Sequence, residues 1–125
     1  MHELSIAQAL LDQIEAVARP RGAVDVPAAT IRVGPLSGVE PSLLRRAFEV
    51  ARLARPTTAR TELSLEISEV VVSCASCERD SSASPGDLRC QYCASSRTSL
   101  RAGDELLLLR IEMDIPAAGA AQMAN

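Results

Sequence analysis

The sequence has no lysine, no tryptophan and a single histidine, and these absences exclude several classes of function. All 13 basic residues are arginine, and 16 acidic residues bring the net charge to −3. Binding to phosphate backbones needs a concentrated basic face, so this balance argues against nucleic acid as the main partner. The one histidine is residue 2, so no Ser/His/Asp or Cys/His arrangement can form inside the fold, and we expect no enzyme. There is also no phosphate-binding loop, so we expect no nucleotide hydrolysis by this chain.

Aromatic residues and long apolar runs are also scarce. Phe48 and Tyr92 make up the 2% aromatic content, so we expect an aliphatic core. No apolar run approaches the ~20 residues that a membrane-spanning helix needs, and we expect no membrane span. The chain opens with Met1-His2-Glu3, without a basic signal segment or a cleavage site, and we therefore expect a cytoplasmic protein.

Two stretches have the three- and four-residue apolar spacing of an amphipathic helix. The first runs from Leu4 to Ala18 and stops where Pro20 follows. The second begins near Pro41, which suits the first helical position, and stops before Pro56. The sequence therefore predicts two helices in its first half.

Three stretches alternate between apolar and polar residues, as strands with one wet face do. They cover residues 30–33, 61–68 with an extension to 72, and 105–115, while residues 101–104 are typical of a turn. We expect residues 62–70 to pair with residues 106–114, because the cysteine-containing segment is inserted between two strands that are long enough to pair with each other.

All four cysteines lie in two C-x-x-C pairs, Cys74/Cys77 and Cys90/Cys93, with twelve residues between the pairs. Two residues between cysteines let both sulfurs reach one ion, and two such pairs close a tetrahedral shell around Zn²⁺. The intervening residues 78–87 are polar, so the metal must supply folding free energy. Two disulfides, a redox C-x-x-C and an iron site are the alternatives.

Neither cysteine pair is followed by glycine, since Glu78 and Ala94 stand there. Turns of this kind often place the following residue at positive φ, where glycine costs least. This departure concerns the geometry of the two turns and leaves the ligand set unchanged.

The order of elements predicts an α+β fold in which two helices cover a three-stranded sheet, with a four-cysteine, zinc-ribbon-like module inserted between two strands. Residues 1–72 plus 102–115 form the main domain in this interpretation. Residues 73–101 form the zinc-binding module, and residues 116–125 are a disordered tail.

The amino terminus carries a second set of candidate metal ligands. The α-amine of Met1, the imidazole of His2 and the intervening amide nitrogens can close fused chelate rings on one ion, with Glu3 adjacent. Planar nitrogen donation of this kind suits Ni(II) or Cu(II) and matches Zn(II) poorly. A lone histidine near a terminus is more often a solvated side chain than a ligand.

Three separated motifs resemble the HypA/HybF family of hydrogenase maturation nickel-incorporation proteins. The first is the opening Met1-His2-Glu3-Leu4-Ser5-Ile6-Ala7-Gln8, and the third is the cysteine set. The second comprises Gly34, Leu36-Ser37-Gly38-Val39-Glu40 and Ala47-Phe48-Glu49. The resemblance covers residues 1 to about 115, and the chain departs from the family at Pro35, where glutamate is common.

The resemblance implies a nickel metallochaperone with a nickel-binding main domain. The family's nickel ligands fall on Met1, His2 and Glu3, and its structural zinc ligands fall on Cys74, Cys77, Cys90 and Cys93. The implied partners are a nickel-handling GTPase and the large subunit of [NiFe]-hydrogenase, which receives the nickel during maturation. The sequence leaves a homodimer open.

The alternative function is a zinc-ribbon module for nucleic-acid or protein interaction. Four arginines surround the cysteines and could contact phosphate, although four acidic residues offset them and only one aromatic side chain is available for base stacking. The arginines are Arg79, Arg89, Arg97 and Arg101, and the acidic residues are Glu78, Asp80, Asp87 and Asp104.

Overall fold

A computed structural model describes residues 2–116 of the chain. Met1 and residues 117–125 lie outside the described part, so nearly all of the predicted disordered tail falls there.

The described chain contains two α-helices and six β-strands. The helices are α1, His2–Ala18, and α2, Pro41–Ala51, and two short 3-10 segments follow α2 at Arg52–Ala54 and Pro56–Thr58. The strands are β1 Asp25–Val33, β2 Glu62–Ile67, β3 Val70–Cys74, β4 Asp80–Ala83, β5 Thr98–Ala102 and β6 Leu106–Asp114. The α+β class and both predicted helices are therefore confirmed. None of the helices within residues 2–116 has the length and apolar content to cross a membrane.

The two helices pack against each other through apolar faces. The α1 face buries Ala7, Leu10, Leu11, Ile14 and Ala18, and α2 buries Leu44 and Phe48. At the start of α2, the Glu40 carboxylate accepts the Ser42 N–H at 3.0 Å, and Pro41 occupies the first helical turn. After α1, Gly22 adopts φ 71° and returns its N–H to the carbonyl of Arg19, which ends the helical segment.

The first sheet has the strand order β2-β1-β6, and this order corrects one prediction. We expected residues 62–70 and 106–114 to pair with each other, but β1 lies between them. β1 extends beyond the predicted residues 30–33. Its start was not predicted, because Pro27-Ala28-Ala29 lacks the apolar–polar alternation of a strand. Its nine residues bury Val26, Ala29, Ile31 and Val33, as a central strand does.

The predicted strand from 61 to 72 is in fact two strands, β2 and β3, which belong to different sheets. Ser68 interrupts the run: its N–H donates to the carbonyl of Val33 and its hydroxyl donates to the Glu105 carboxylate at 2.7 Å. These bonds hold the break between the two strands.

The second sheet has the order β4-β3-β5, with both outer strands antiparallel to β3. β3 supplies the apolar side chains, and its Val70 and Val72 are buried. β4 and β5 were not predicted, because their serine-, arginine- and aspartate-containing segments lack apolar alternation. The predicted turn at 101–104 is wrong in its first two residues, which end β5.

Backbone hydrogen bonds stabilise one loop beside the second sheet, at a point where the backbones of Gly34 and Gly103 approach closely. The Gly34 N–H donates to the carbonyl of Glu105 at 2.7 Å, and Leu36 N–H donates to the carbonyl of Gly103 at 2.6 Å. A Cβ on Gly34 would lie only 2.2 Å from the Gly103 oxygen, so no larger residue fits without moving the backbone.

The chain divides into two compact units, each built from separated segments. The first comprises the chain up to Ile31, Glu40–Ser64 and the chain from Leu108 onward. The second comprises Arg32–Val39 and Leu65–Leu107, and it contains the whole β4-β3-β5 sheet and the four cysteines. The domain boundaries proposed from the sequence stay predictions.

Candidate metal centres

The four cysteines converge within the second unit. Their Sγ atoms all lie within 4.8 Å of one another, with Cys74 to Cys93 and Cys77 to Cys90 each separated by 3.6 Å. None of the four is in a disulfide, whose sulfur atoms would be about 2.05 Å apart. The structure therefore brings the predicted ligand set together, with all four sulfurs as free thiols.

Each C-x-x-C pair forms the same kind of turn. Glu78 N–H donates to the carbonyl of Cys74 at 3.0 Å, and Ala94 N–H donates to the carbonyl of Cys90 at 2.9 Å. Inside each turn, backbone N–H groups also point at the first sulfur: Ser76 N lies 3.3 Å from the Cys74 Sγ, and Tyr92 N lies 3.4 Å from the Cys90 Sγ. The backbone amides thus face the position where negative charge develops on a thiolate.

Both turns place a residue with a side chain in the left-handed region. Glu78 has φ 60° and Ala94 has φ 62°, the two non-glycine residues of the described chain with positive φ. These are the positions that follow each pair, where the sequence lacks glycine. The turns therefore form as the spacing predicts, at a conformational cost of about 1–2 kcal/mol for each residue.

Backbone hydrogen bonds and burial divide the cysteines into two kinds. The pKa of Cys90 is lowered to about 6, chiefly by the N–H of Cys93 and then by that of Tyr92. The Cys77 and Ser76 amides lower the pKa of Cys74 in the same way. Burial raises the pKa of Cys77 to about 12, and its contact with the Cys90 sulfur adds to the effect. The first cysteine of each pair is thus the readier thiolate.

Polar contacts hold the segment between the pairs, which has almost no apolar content. The Arg89 guanidinium donates to both carboxylate oxygens of Asp87, at 2.9 and 2.8 Å, and holds the pKa of Asp87 at about 2. The Ser81 hydroxyl accepts the Gln91 N–H at 3.2 Å. These hydrogen bonds connect the second cysteine turn to the residues that precede it, and so orient the turn.

The four sulfurs fit a tetrahedral ion. A regular tetrahedron with Zn–S bonds of ~2.3 Å has sulfur–sulfur edges of about 3.8 Å, close to the two 3.6 Å separations. Four protein ligands leave no open position for water or substrate, so such a site is structural rather than hydrolytic. Iron bound by four thiolates adopts the same shape, and the sulfur geometry alone accommodates both metals.

The amino-terminal candidates lie at the start of α1 in the first unit. His2 opens the helix with its side chain 64% exposed, and its Nδ1 lies 3.5 Å from the Glu3 carboxylate. The first four N–H groups of an α-helix have no partner within the helix, so the His2 and Glu3 amides are free of helical hydrogen bonds. Met1, the remaining predicted ligand, lies outside the described residues.

One neighbour of this terminus was not predicted from the sequence. The Glu40 N–H approaches the Glu3 carboxylate at 3.5 Å, so the residue before α2 contacts the first turn of α1. The pKa of Glu3 is lowered, first by its own backbone N–H and also by that of Glu40. The sequence signal was the helix-start pattern Glu40-Pro41-Ser42, which places a carboxylate at a helix N-terminus but does not identify its neighbour.

The chain is similar over most of its length to one family of known proteins. The model of a family described as "Hydrogenase/urease nickel incorporation, metallochaperone, hypA" matches residues 1–113. The hydrogenase maturation factor HypA of Shewanella baltica (strain OS223) is 37% identical over 114 residues, covering 91% of this chain and 97% of the relative. Its counterpart in Aquifex aeolicus (strain VF5) is 34% identical, covering 92% and 99%.

Two solved structures share the fold. One is the solution structure of the Ni metallochaperone HypA from Helicobacter pylori, 24% identical, with a TM-score of 0.69 over 90% of this chain and 97% of that chain. The other is a solution structure of a HypA protein, 25% identical, with a TM-score of 0.70 over 90% and 96%. The family consists of metallochaperones and not of enzymes, as the single terminal histidine predicts. This chain belongs to the HypA family of hydrogenase and urease nickel-incorporation metallochaperones.

Proposed function

We propose that this chain binds Ni(II) at its amino terminus and delivers it to the large-subunit precursor of [NiFe]-hydrogenase in the cytoplasm. The observation that carries the proposal is the family match from residue 1, which includes Met1-His2-Glu3. A nickel-handling GTPase is the proposed partner that supplies nucleotide hydrolysis, since this chain has no phosphate-binding loop.

The donor atoms at the start of α1 support nickel binding. The His2 imidazole is exposed, and the adjacent backbone amides need no helical hydrogen bond to be broken before they turn to an ion. Nitrogen donors in a plane are the arrangement that Ni(II) accepts. We therefore propose the Met1 amine, the His2 amide and imidazole, and the Glu3 amide as the ligands.

We propose zinc as the resident ion of Cys74, Cys77, Cys90 and Cys93. The closed tetrathiolate shell supports a structural ion without redox chemistry, and the unit around it has few apolar residues between the cysteine pairs. In this proposal residues 73–101 depend on the metal for folding. Metal analysis of purified protein should find about one zinc per chain and no iron.

The nickel site is tested by titrating zinc-loaded protein that has its native amino terminus beside a copy extended by Gly-Ser before Met1. The extension keeps every side chain but moves the free amine away from the chelating position. We expect about one nickel per native chain and at least tenfold weaker binding by the extended copy. His2→Ala should lose binding as well, whereas Gln13→Ala, an exposed change on the same helix, should not.

Equal nickel binding by native and extended chains would contradict the amino-terminal site. Delivery has its own readout: nickel-loaded protein is mixed with the nickel-free large-subunit precursor, and metal in the re-isolated precursor is counted. We expect transfer from the native chain, accelerated by the GTPase and GTP. Binding without transfer would leave a nickel-binding protein that is not a donor to this precursor.

The structure gives less support to the nucleic-acid alternative. The Arg79 guanidinium lies 5.0 Å from the ring centre of Tyr92, so this arginine has a cation–π contact within the chain, while the Tyr92 residue stays 58% exposed. Arg89 is bound to the Asp87 carboxylate within its own chain. Arg101 lies 3.9 Å from the Asp80 carboxylate, so three of the four arginines are engaged within the chain, and we expect no steeply salt-dependent binding to DNA or RNA.

A further inference from the structure

An open, largely apolar groove lies between α1 and α2, beside the amino terminus. Its volume is about 490 Å³, and its walls are formed by Glu3, Leu4, Leu43, Arg46, Ala47 and Val50. Both large apolar side chains that α2 leaves exposed belong to this groove: Leu43 is 45% exposed and Val50 is 69% exposed. The groove is therefore an apolar surface that the packing of the two helices leaves open.

The groove opens next to the first residue of the chain. α2 begins close to the start of α1, since the Glu40 N–H approaches the Glu3 carboxylate at 3.5 Å. Side chains three residues apart on a helix lie on the same face, so position 1 shares a face with Leu4. The Cα–Cβ bonds of a helix tilt toward its amino terminus, so the Leu4 side chain leans toward position 1. Position 1 therefore adjoins the end of the groove that Leu4 and Leu43 form.

We propose that the side chain of Met1 binds in this end of the groove and thereby fixes the α-amine that the proposed nickel site uses. The inference rests on the proposed amino-terminal nickel site. A methionine side chain is unbranched and polarisable, so it fills irregular apolar gaps of this kind. Met1 then has two separate roles, since its amine is a ligand and its side chain is the anchor that positions the amine.

Anchoring the side chain favours nickel binding through entropy. A free terminal residue loses backbone freedom when its amine is captured by an ion, and this loss weakens binding. A residue that is already held in the groove has lost that freedom before nickel arrives. The cost of ordering one residue corresponds to about a tenfold change in a binding constant.

Chain connectivity favours Met1 over other occupants of the groove. Consecutive Cα atoms are ~3.8 Å apart, so Met1 stays close to His2, the first residue of α1. A tethered group binds as an intramolecular partner and loses no translational freedom, whereas a second copy or another protein does. Residues 117–125 follow the end of β6 and have no such tie to the start of α1.

The anchor is tested first without nickel, by NMR of the zinc-loaded full chain with methyl-labelled methionine. The three methionine methyl signals are resolved, and that of Met1 is the one missing from Met1→Leu. Chains that begin with another residue are released from a cleavable amino-terminal fusion. We expect nuclear Overhauser effects from the Met1 methyl group to the side chains of Leu4 and Leu43.

Nickel affinity is the second readout, in variants that keep the amine and every backbone nitrogen. Met1→Gly should weaken nickel binding by about tenfold, and Met1→Leu should keep most of the affinity. Leu43→Asn should weaken it by a similar factor, although Leu43 is not a proposed ligand. Leu53→Asn changes a leucine that is 63% exposed and outside the groove, and it should leave the affinity unchanged. Met1→Gly combined with Leu43→Asn should lose no more than either change alone.

The failure of the anchor differs from the failure of the nickel site. Missing Met1–Leu43 effects, or equal nickel affinities for Leu43→Asn and Leu53→Asn, would overturn the anchor and leave the nickel site standing. Effects present in a chain that binds no nickel would support the anchor's place in the groove and contradict the proposed function. Contacts to Leu43 from a second copy or from residues 117–125, in place of those from Met1, would also overturn the anchor.

Discussion

Two residues outside the ligand set, Glu78 and Ala94, decide the backbone shape of the metal centre. Their positive φ angles let each turn return an N–H to the first cysteine of its pair. The spacing of the cysteines predicted the ligand set and the type of turn. The sequence did not show whether a residue with a side chain would adopt the positive φ that the turn requires. In the structure both residues adopt it, despite the conformational cost of the left-handed region.

Glycine at these positions should stabilise the metal-loaded protein. Glu78→Gly and Ala94→Gly each remove the left-handed penalty of about 1–2 kcal/mol, which stabilises the folded chain. Each also raises the conformational entropy of the unfolded chain, which costs about 0.4–1 kcal/mol of stability. We expect each change to raise the free energy of unfolding by about 0.5–1 kcal/mol in denaturant titrations with zinc present. Ala75→Gly, in the same turn but without positive φ, should lower it.

The two kinds of cysteine predict how many protons zinc binding releases. At pH 7.4 Cys77, with its pKa about 12, is a thiol and must lose a proton, whereas Cys90, with its pKa about 6, is already a thiolate. We expect fewer than four protons per zinc at pH 7.4. The number should rise as the pH falls through 6, because Cys90 then carries a proton too.

Calorimetric titration with zinc in buffers of different ionisation enthalpy measures this number. The pKa of Cys90 is lower in the folded chain than in the unfolded one, so its thiolate stabilises the metal-free fold above the ordinary thiol pKa of ~8.5. That contribution is lost as the pH falls through about 6. Release of four protons per zinc both at pH 7.4 and below pH 6 would mean that the backbone amides do not favour the Cys90 thiolate.

At the scale of elements, helices were easier to predict from the sequence than strands. α1 and α2 have apolar spacing and proline boundaries of their own, which a single stretch of sequence contains. β4 and β5 are stabilised by pairing with β3, and their own residues lack the apolar alternation that predicts a strand. The same reason explains why the central place of β1 was missed: that position depends on strands far away in the chain.

The Gly34 loop offers a prediction at this scale. Gly34→Ala puts a methyl group 2.2 Å from the Gly103 oxygen, and the clash is with backbone, which cannot rotate away. We expect a loss of about 3 kcal/mol or more in the free energy of unfolding. Gly86→Ala is the matched control, because a Cβ there meets nothing within 4 Å. Equal unfolding free energies for the two variants would show that the loop adjusts.

At the scale of the whole molecule, the two units should respond differently to loss of the metal. Cys77→Ser removes one ligand, and we expect the β4-β3-β5 sheet to lose its order while the packed helices keep theirs. Circular dichroism should retain most of the helical signal, and amide exchange should become fast in residues 70–102. Ala75→Ser, an exposed change in the same turn, is the control. Loss of all helical signal in Cys77→Ser would show that the units fold as one.

The interleaved segments of the two units determine the order in which the chain can be completed during synthesis. The chain passes between units after residues 31, 39, 64 and 107. Every residue of the cysteine-containing unit therefore leaves the ribosome before the first unit receives its last strand segment, from Leu108 onward. Translation proceeds at ~5–20 residues per second, so the four cysteines can bind a metal ion before the helices gain that strand. The unit that carries the amino terminus is the first to begin and the last to be finished.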